Sequence, residues 1–456
     1  MSSKLSPSSL VQIQPHAAGI DVGAESHWVC VPEHHEQSVR EFGCFTTQLN
    51  KLADWLEACG IKSVAMESTG VYWIPLFQIL EGRGMEVCLV NARSVKNVPG
   101  RKTDVLDCQW IQQLHSFGLL AASFRPSDQI CVLRSYIRHR ENLMRSGMVH
   151  VHRMQKALDQ MNLHLHRVLS DITGKTGMSI IRAIVAGERD PKYLATFRDP
   201  RVKRSQEDIA AALTGNYRDE LLFILKQELS LYDIYRDQMS QCDDEIEQYL
   251  KQFDDQIEVD VVDEKPPTTR RRKPKGNTPK FDLHSHLYRI SGVDFTQIDG
   301  LDTLSVLNIL SEIGLDPTRF PSVKHFSSWL GLCPGSHITG GKVKSTKTRK
   351  VVNRAANAFR LAAQSLHHSH SALGAYYRRL KSRLGPAKAI TATAHKLARM
   401  FYRLWSKGGH YVDPGVDTYE MQYKERVLNN LQRKAKTLGY QLIPKPSEEN
   451  LIESVS

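Results

Sequence analysis

The stretch HAAGIDVGAESHWVCV, residues 16–31, lodges a carboxylate in what is otherwise buried-strand chemistry. Ile20, Val22, Trp28, Val29 and Val31 favour a pleated, half-buried backbone, yet Asp21 sits among them, between Gly19 and Gly23. A buried carboxylate is costly unless it is paired or binds a cation. The reading of this segment therefore depends on whether other acids reach the same place.

HAAGIDVGA and HWVCVPE read as two strands around a tight turn, and SVREFGCF as a third. TTQLNKLADWLEACG has helical spacing, with Leu49, Leu52, Trp55 and Leu56 on one side and Gly60 placed to end it. KSVAMES is a short apolar strand closing on Glu67; VYWIPLFQILEGRG reads as a helix, MEVCLVN as a strand and DVLDCQWIQQLHSFG as a helix. Strands and helices in this order give a mixed α/β sheet domain over residues 1–125.

Beyond it the pattern is helical. Two long amphipathic runs in residues 126–258 predict an antiparallel pair or coiled coil. TGKTG between them lacks the full Gly-x-x-x-x-Gly-Lys-Ser/Thr pattern and reads as a turn and helix start. Residues 259–282, containing RRRKPK, are a proline-rich basic linker. Residues 283–410 form a second helical domain, and 411–456 a tail of mixed charge. In ISGVDFTQIDGLDTLSVLNILSEIG the spacing fits either a helix-hairpin-helix turn or an ordinary helical turn, since Asp302 replaces the usual second glycine.

The chain has 456 residues, 41% hydrophobic, with a formal net charge of +12, so polyanions are the expected partners. No apolar run reaches the roughly 20 residues of a membrane span, and the first residues lack a signal peptide's apolar stretch. Eight scattered cysteines with no CxxC pair point away from a disulfide scaffold or structural zinc and toward a reducing cytoplasm. HHSH at 367–370 and HSH at 284–286 read as solvated histidines or phosphate contacts in preference to metal ligands.

Four acids share the α/β region: Asp21 in its first strand, Glu67 ending a later one, and Asp104 and Asp107 three apart on a helix. Singly, Asp104 could be a helix cap, Asp107 a solvated side chain and Glu67 a strand-end acid. Together, on these elements, they suit a divalent-metal site on an RNase H-like sheet. Magnesium takes hard oxygen ligands and in phosphoryl transfer neutralises developing charge.

GIDVGAESHWVCV, AMESTGVYWIPLFQIL and NARSVKNVPGRKTDVLDCQWIQQL resemble the N-terminal DEDD domain of transposases of insertion-sequence family 110, closest to subgroup 1111. The resemblance implies a RuvC-like site in which Asp21, Glu67, Asp104 and Asp107 hold Mg2+ or Mn2+. It also implies RNA-guided recombination of donor and target DNA by a homo-oligomer, dimer or tetramer, and a cytoplasmic, nucleoid-associated location.

Residues 317–412 contain 18 Lys and Arg and no Asp or Glu, a one-sided charge that marks a nucleic-acid footprint. Its centre, WLGLCPGSHITGGKVKSTKTRKVVNRAANAFRLAA, sets Lys342, Lys344, Lys347, Arg349, Lys350 and Arg354 around a glycine-rich loop. Tyr376 and Tyr377 are either base-stacking platforms or core. FSSWLGLCPG, the GGK turn and TATAHKLARMFYRL resemble the C-terminal domain of the same transposases, whose members carry a nucleophilic serine just before the turn. This chain has Thr339 there. Three readings stay open: Thr339 is the nucleophile, Ser336 or Ser345 substitutes, or this copy is impaired. Two rivals remain: a RuvC-like nuclease using metal-activated water, and a decayed transposase that only binds nucleic acid.

Overall fold

The computed structural model describes residues 11–91, 103–256, 277–349 and 351–443. It divides into two compact units, Met1–Arg125 and Pro126–Ser456.

The first unit holds a five-stranded sheet of β1 (Ala17–Val22), β2 (Ser26–Cys30), β3 (Val39–Gly43), β4 (Ser63–Glu67) and β5 (Glu86–Val90). Its order is β3-β2-β1-β4-β5. β1, β2 and β3 pair antiparallel, whereas β4 runs parallel to β1, and β5 to β4. Helices α1 (Thr46–Ala58) and α2 (Trp73–Gly82) provide the crossovers that parallel pairing needs. Ala18, Ile20 and Val22 alternate onto one face of β1 and pack with Val64, Met66, Leu52 and Leu76 in the main core. The opposite face carries a smaller cluster of Ala65, Val90 and Ile111, the last from α3 (Asp104–Ser116). The sheet domain read from the sequence is thus mixed α/β, with parallel strands at its centre.

In the second unit, α4 (Asp128–Gln160) and α9 (Asp219–Leu250) form a long helical pair, and both carry one apolar stripe. Four short helices fill the connection: α5 (Leu165–Val168), α6 (Lys175–Val185), α7 (Pro191–Ala195) and α8 (Gln206–Ala212). Their side chains join those of α4 and α9 in one core that includes Met154, Leu158, Ile181, Ile209 and Leu225. TGKTG is the turn that opens α6, as its sequence suggests.

The remaining helices are α10 (Leu283–Ser291), α11 (Thr303–Ile313), α12 (Val323–Trp329), α13 (Arg354–Ser365), α14 (Ala372–Leu384), α15 (Pro386–Lys407) and α16 (Gly415–Thr437). Phe295, Phe326, Phe359 and Phe401 are fully buried, Phe295 stacked on Phe401 and Phe359 edge-on to both Phe326 and Phe401. Arg138 grips Glu312 at the end of α11 through two bonds of 2.9 Å, tying the base of the helix pair to this layer. The turn before α11 is an ordinary one: Asp302 caps the helix, and a Cβ on Gly300 would lie 2.8 Å from the Ala362 carbonyl. That turn is packed against α13.

The N-terminal residues 1–10, residues 92–102 of the NARSVKNVPGRK segment, residues 257–276, which include most of the basic linker, Lys350 and the tail beyond 443 lie outside the described residues.

Candidate functional site

β1 and β4 are in parallel register from Ala17↔Ser63 to Ile20↔Met66, and the next step sets Asp21 beside Glu67. Directly paired residues of parallel strands share a face, so both acids point to the side opposite the main core. They stand at the strands' C-terminal ends, where ligands bind open α/β sheets. Glu67 is buried and accepts a 2.7 Å hydrogen bond from Thr69 Oγ1; Asp21 is half-buried.

α3 crosses this same face. Gln112 Nε2 donates to the Ala17 carbonyl at 3.2 Å, and a Cβ on Gly19 would lie 2.5 Å from the Cys108 carbonyl. The Gln112 backbone and the Cys108 carbonyl both lie over Gly19, so α3 runs directly across β1 on the face that carries Asp21. Only glycine at position 19 allows so close a crossing. Thr103, not Asp104, caps the helix, accepting from Leu106 N at 3.4 Å. The exposed Asp104 and half-buried Asp107 instead occupy the first turn, where the helix dipole favours negative charge.

The thiols of Cys30 and Cys108 meet beneath this turn. Hydrogen bonding between them, followed by burial, pushes Cys108 far above the usual thiol range, and the charge of Asp21 adds to the effect. Sequence reasoning missed this pair and the role of Gly19; a lone glycine in an apolar strand was the available signal.

Asp21 and Glu67 thus share one end of this sheet face, and Asp104 and Asp107 occupy the first turn of the helix packed on it. Among the described residues, no three His, Cys, Asp or Glu side chains are grouped closely enough to hold a metal ion. The donors fit magnesium by chemistry, being carboxylates only, and such an ion needs one or two of them beside waters and substrate phosphates.

In the second unit, β6 (His337–Thr339) and β7 (Lys342–Ser345) form an antiparallel hairpin. Gly340 and Gly341 make its turn with φ of +56° and +72°, the two positive values that a type I′ turn requires. Thr339 ends β6, exposed and paired with Lys342. Ser336 is exposed as well, whereas the Ser345 hydroxyl accepts from Lys347 N at 3.2 Å and braces the next turn. The hairpin's base is fixed by Gly335 N donating to the Lys347 carbonyl at 2.9 Å and by Cys333 Sγ, 3.8 Å from His395 Nε2.

Lys342, Lys344 and Lys347 are exposed around this hairpin. Arg349 is exposed too, with Nη2 on the Ser328 carbonyl at 2.9 Å. Arg354 is engaged differently from the sequence expectation, in a 2.6 Å ion pair with Glu141 of α4. The base-stacking alternative for the tyrosines is corrected: Tyr377 is buried, and the Lys396 ammonium sits 4.1 Å from the Tyr376 ring. His284 pairs with Asp294 at 2.9 Å as part of a cap.

An acid-bearing mixed sheet followed by a basic helical unit is the arrangement of a protein that acts on DNA, and comparison with known families gives the class. Residues 18–163 match a family model described as transposase, of the DEDD type in insertion-sequence family 110. Residues 294–378 match the transposase IS116/IS110/IS902 family. Both matches name one family and together span just over half of the chain, which belongs to these transposases. No curated protein matches it. Among the described residues, no helix is long and apolar enough to cross a membrane.

Proposed function

We propose that this transposase is a recombinase that cuts and rejoins DNA through hydroxyl attack, with an RNase H-like, RuvC-like first unit. The observation that carries this reading is the β1–β4 register, whose next step beyond Ile20↔Met66 brings Asp21 alongside Glu67 on the face that α3 crosses. The sheet order, an antiparallel β1–β3 meander flanked by parallel β4 and β5, supports it.

Asp21 and Glu67, completed by Asp104 and Asp107, would hold Mg2+ or Mn2+. When bound, the ion neutralises charge on the reacting phosphate. Thr339 supplies the nucleophile. Its hydroxyl is presented at the exposed end of β6, immediately before a turn whose two glycines leave room for DNA. The Thr339 Oγ1–phosphorus bond forms as one phosphodiester P–O bond breaks, the hydroxyl loses its proton, and the leaving oxygen gains one. The covalent link conserves the bond for rejoining. Lys342, Lys344 and Lys347 hold flanking phosphates. The chain's membership of subgroup 1111, a guide RNA encoded by its element, assembly as a dimer or tetramer, and action on the cytoplasmic nucleoid belong to the same reading.

The test is a trapped protein–DNA complex, digested to identify the linked residue. A link at Thr339, lost in Thr339→Ala but kept in Ser336→Ala and Ser345→Ala, is the expected result. Unchanged strand cleavage by Thr339→Ala without any adduct would instead establish the water-using nuclease.

A further inference from the structure

The short helices at the far end of the α4–α9 pair enclose a cleft of about 560 Å3. One wall is the start of α6, with Lys175 and Thr176; the other is the loop carrying Asp199, Arg201, Lys203 and Arg204. These residues lie outside both segments that match the transposase family. Arg138, which anchors the pair, is 22 residues from the end of α4 at Gln160, so the connection that carries the cleft leaves the helix roughly 33 Å from that anchor at 1.5 Å per residue.

The walls are fixed before any ligand arrives. Buried Thr176 accepts a 2.9 Å hydrogen bond from Asp199 N through its hydroxyl, joining one wall to the other. A Cβ on Gly177 would lie 2.2 Å from the Ile172 carbonyl, so α6 is seated tightly on the preceding turn.

The charges are unbalanced. The Asp199 carboxylate is occupied by Arg201, at 2.8 Å to Nε. The Asp171 carboxylate, also on the lining, accepts from Thr173, at 2.8 Å from N and 2.7 Å from Oγ1, and keeps its negative charge. Lys175, Lys203 and Arg204 are exposed, and among the described residues no carboxylate lies within ion-pair distance of them. Four cations, Lys175, Arg201, Lys203 and Arg204, face two carboxylates, Asp171 and Asp199, and this excess of positive charge in a prebuilt cleft makes an anion site. The cleft is wider than one phosphate needs, and the surrounding sequence lacks the complete nucleotide phosphate loop. A chain of phosphates fits it better.

We propose that this cleft binds the sugar–phosphate backbone of a nucleic acid, as a contact separate from the basic C-terminal helices. The inference rests on the reading of the chain as a transposase. Duplex DNA and RNA share the recognised chemistry, and the experiment separates them.

The full chain and its Lys175→Gln/Lys203→Gln/Arg204→Gln variant are titrated with duplex DNA and with a structured RNA across a salt series. Each phosphate contact contributes about 0.7–0.9 to the slope of log affinity against log salt. The variant's slope is expected to be shallower by roughly 2 to 2.7 with whichever nucleic acid occupies the cleft, with affinity at least about tenfold weaker at low salt. Lys203→Glu alone should weaken binding more than Lys203→Gln, and unchanged thermal melting would show that the fold is intact. Equal slopes and affinities for wild type and variants with both nucleic acids would overturn the cleft while leaving the transposase reading in place. Absence of binding by the wild type would overturn both.

Discussion

Gly19 is where the carboxylate end of the sheet is made or lost. A methyl group there would lie 2.2 Å from Gln112 N and 2.5 Å from the Cys108 carbonyl, both backbone atoms of α3 that cannot swing aside. Gly19→Ala should therefore lift the helix, costing about 1–3 kcal/mol of stability by overpacking. It should also lower DNA strand transfer by displacing Asp104 and Asp107. Urea denaturation and a strand-transfer assay on one preparation would measure both, and unchanged values would place α3 elsewhere. Two buried histidines of the same unit make a pH prediction. Burial lowers His27 and His115 below 6.5, and His115 Nε2 shares a 2.8 Å hydrogen bond with Ser63. Below pH 6.5 the unfolded chain then binds more protons than the folded one, so stability falls with pH. It is fully present above 6.5 and lost as pH drops toward the lowered folded values. The melting temperature measured from pH 7.5 to 5 should decline, and less steeply in His115→Asn. The acids were legible in the sequence because a carboxylate among Ile20, Val22 and Val29 is stable there only with a cation or a hydrogen-bonding partner. The crossing at Gly19 was not, since nothing local says which helix comes to rest on it.

At the scale of elements, short apolar runs located β1, β4 and β5 in a sheet packed on both faces, and 3.6-residue spacing located α1, whose Leu49, Leu52 and Leu56 are buried on one side. The hairpin at 337–345 was read only as a loop: its strands are short and polar, and just the Gly340–Gly341 pair marks a type I′ turn. The α4–α9 pair was legible from its stripes, but not its buried ion pair. Arg140 bonds to both oxygens of Asp243, with Nη2 3.1 Å from Oδ2, and donates to the Asn277 carbonyl at 2.8 Å. Removing one partner strands a buried charge, at a cost of about 3–5 kcal/mol. Asp243→Leu should lose that much in chemical denaturation, and adding Arg140→Met should recover most of it. Equal stability of the single and double variants would contradict the pairing. Sequence patterns place both helices yet cannot choose which Arg on α4 meets which Asp on α9.

Across the whole molecule, charge is unevenly spread. Asp21 and Glu67 share one end of a sheet face, whereas residues 317–412 carry 18 cations and no carboxylate. Composition made the nucleic-acid partner legible, and the family matches make the chain a transposase. The cleft on α6 was not legible, because Lys175 and Lys203 are distant in sequence and only folding sets them on facing walls. The most direct test of the paired acids is metal-dependent cleavage of donor DNA by Glu67→Gln, with DNA binding followed alongside. Loss of a metal carboxylate predicts cleavage at least about 100-fold slower with Mg2+, and DNA affinity unchanged. Wild-type cleavage rates in that variant would contradict the claim that Asp21 and Glu67 together hold the ion.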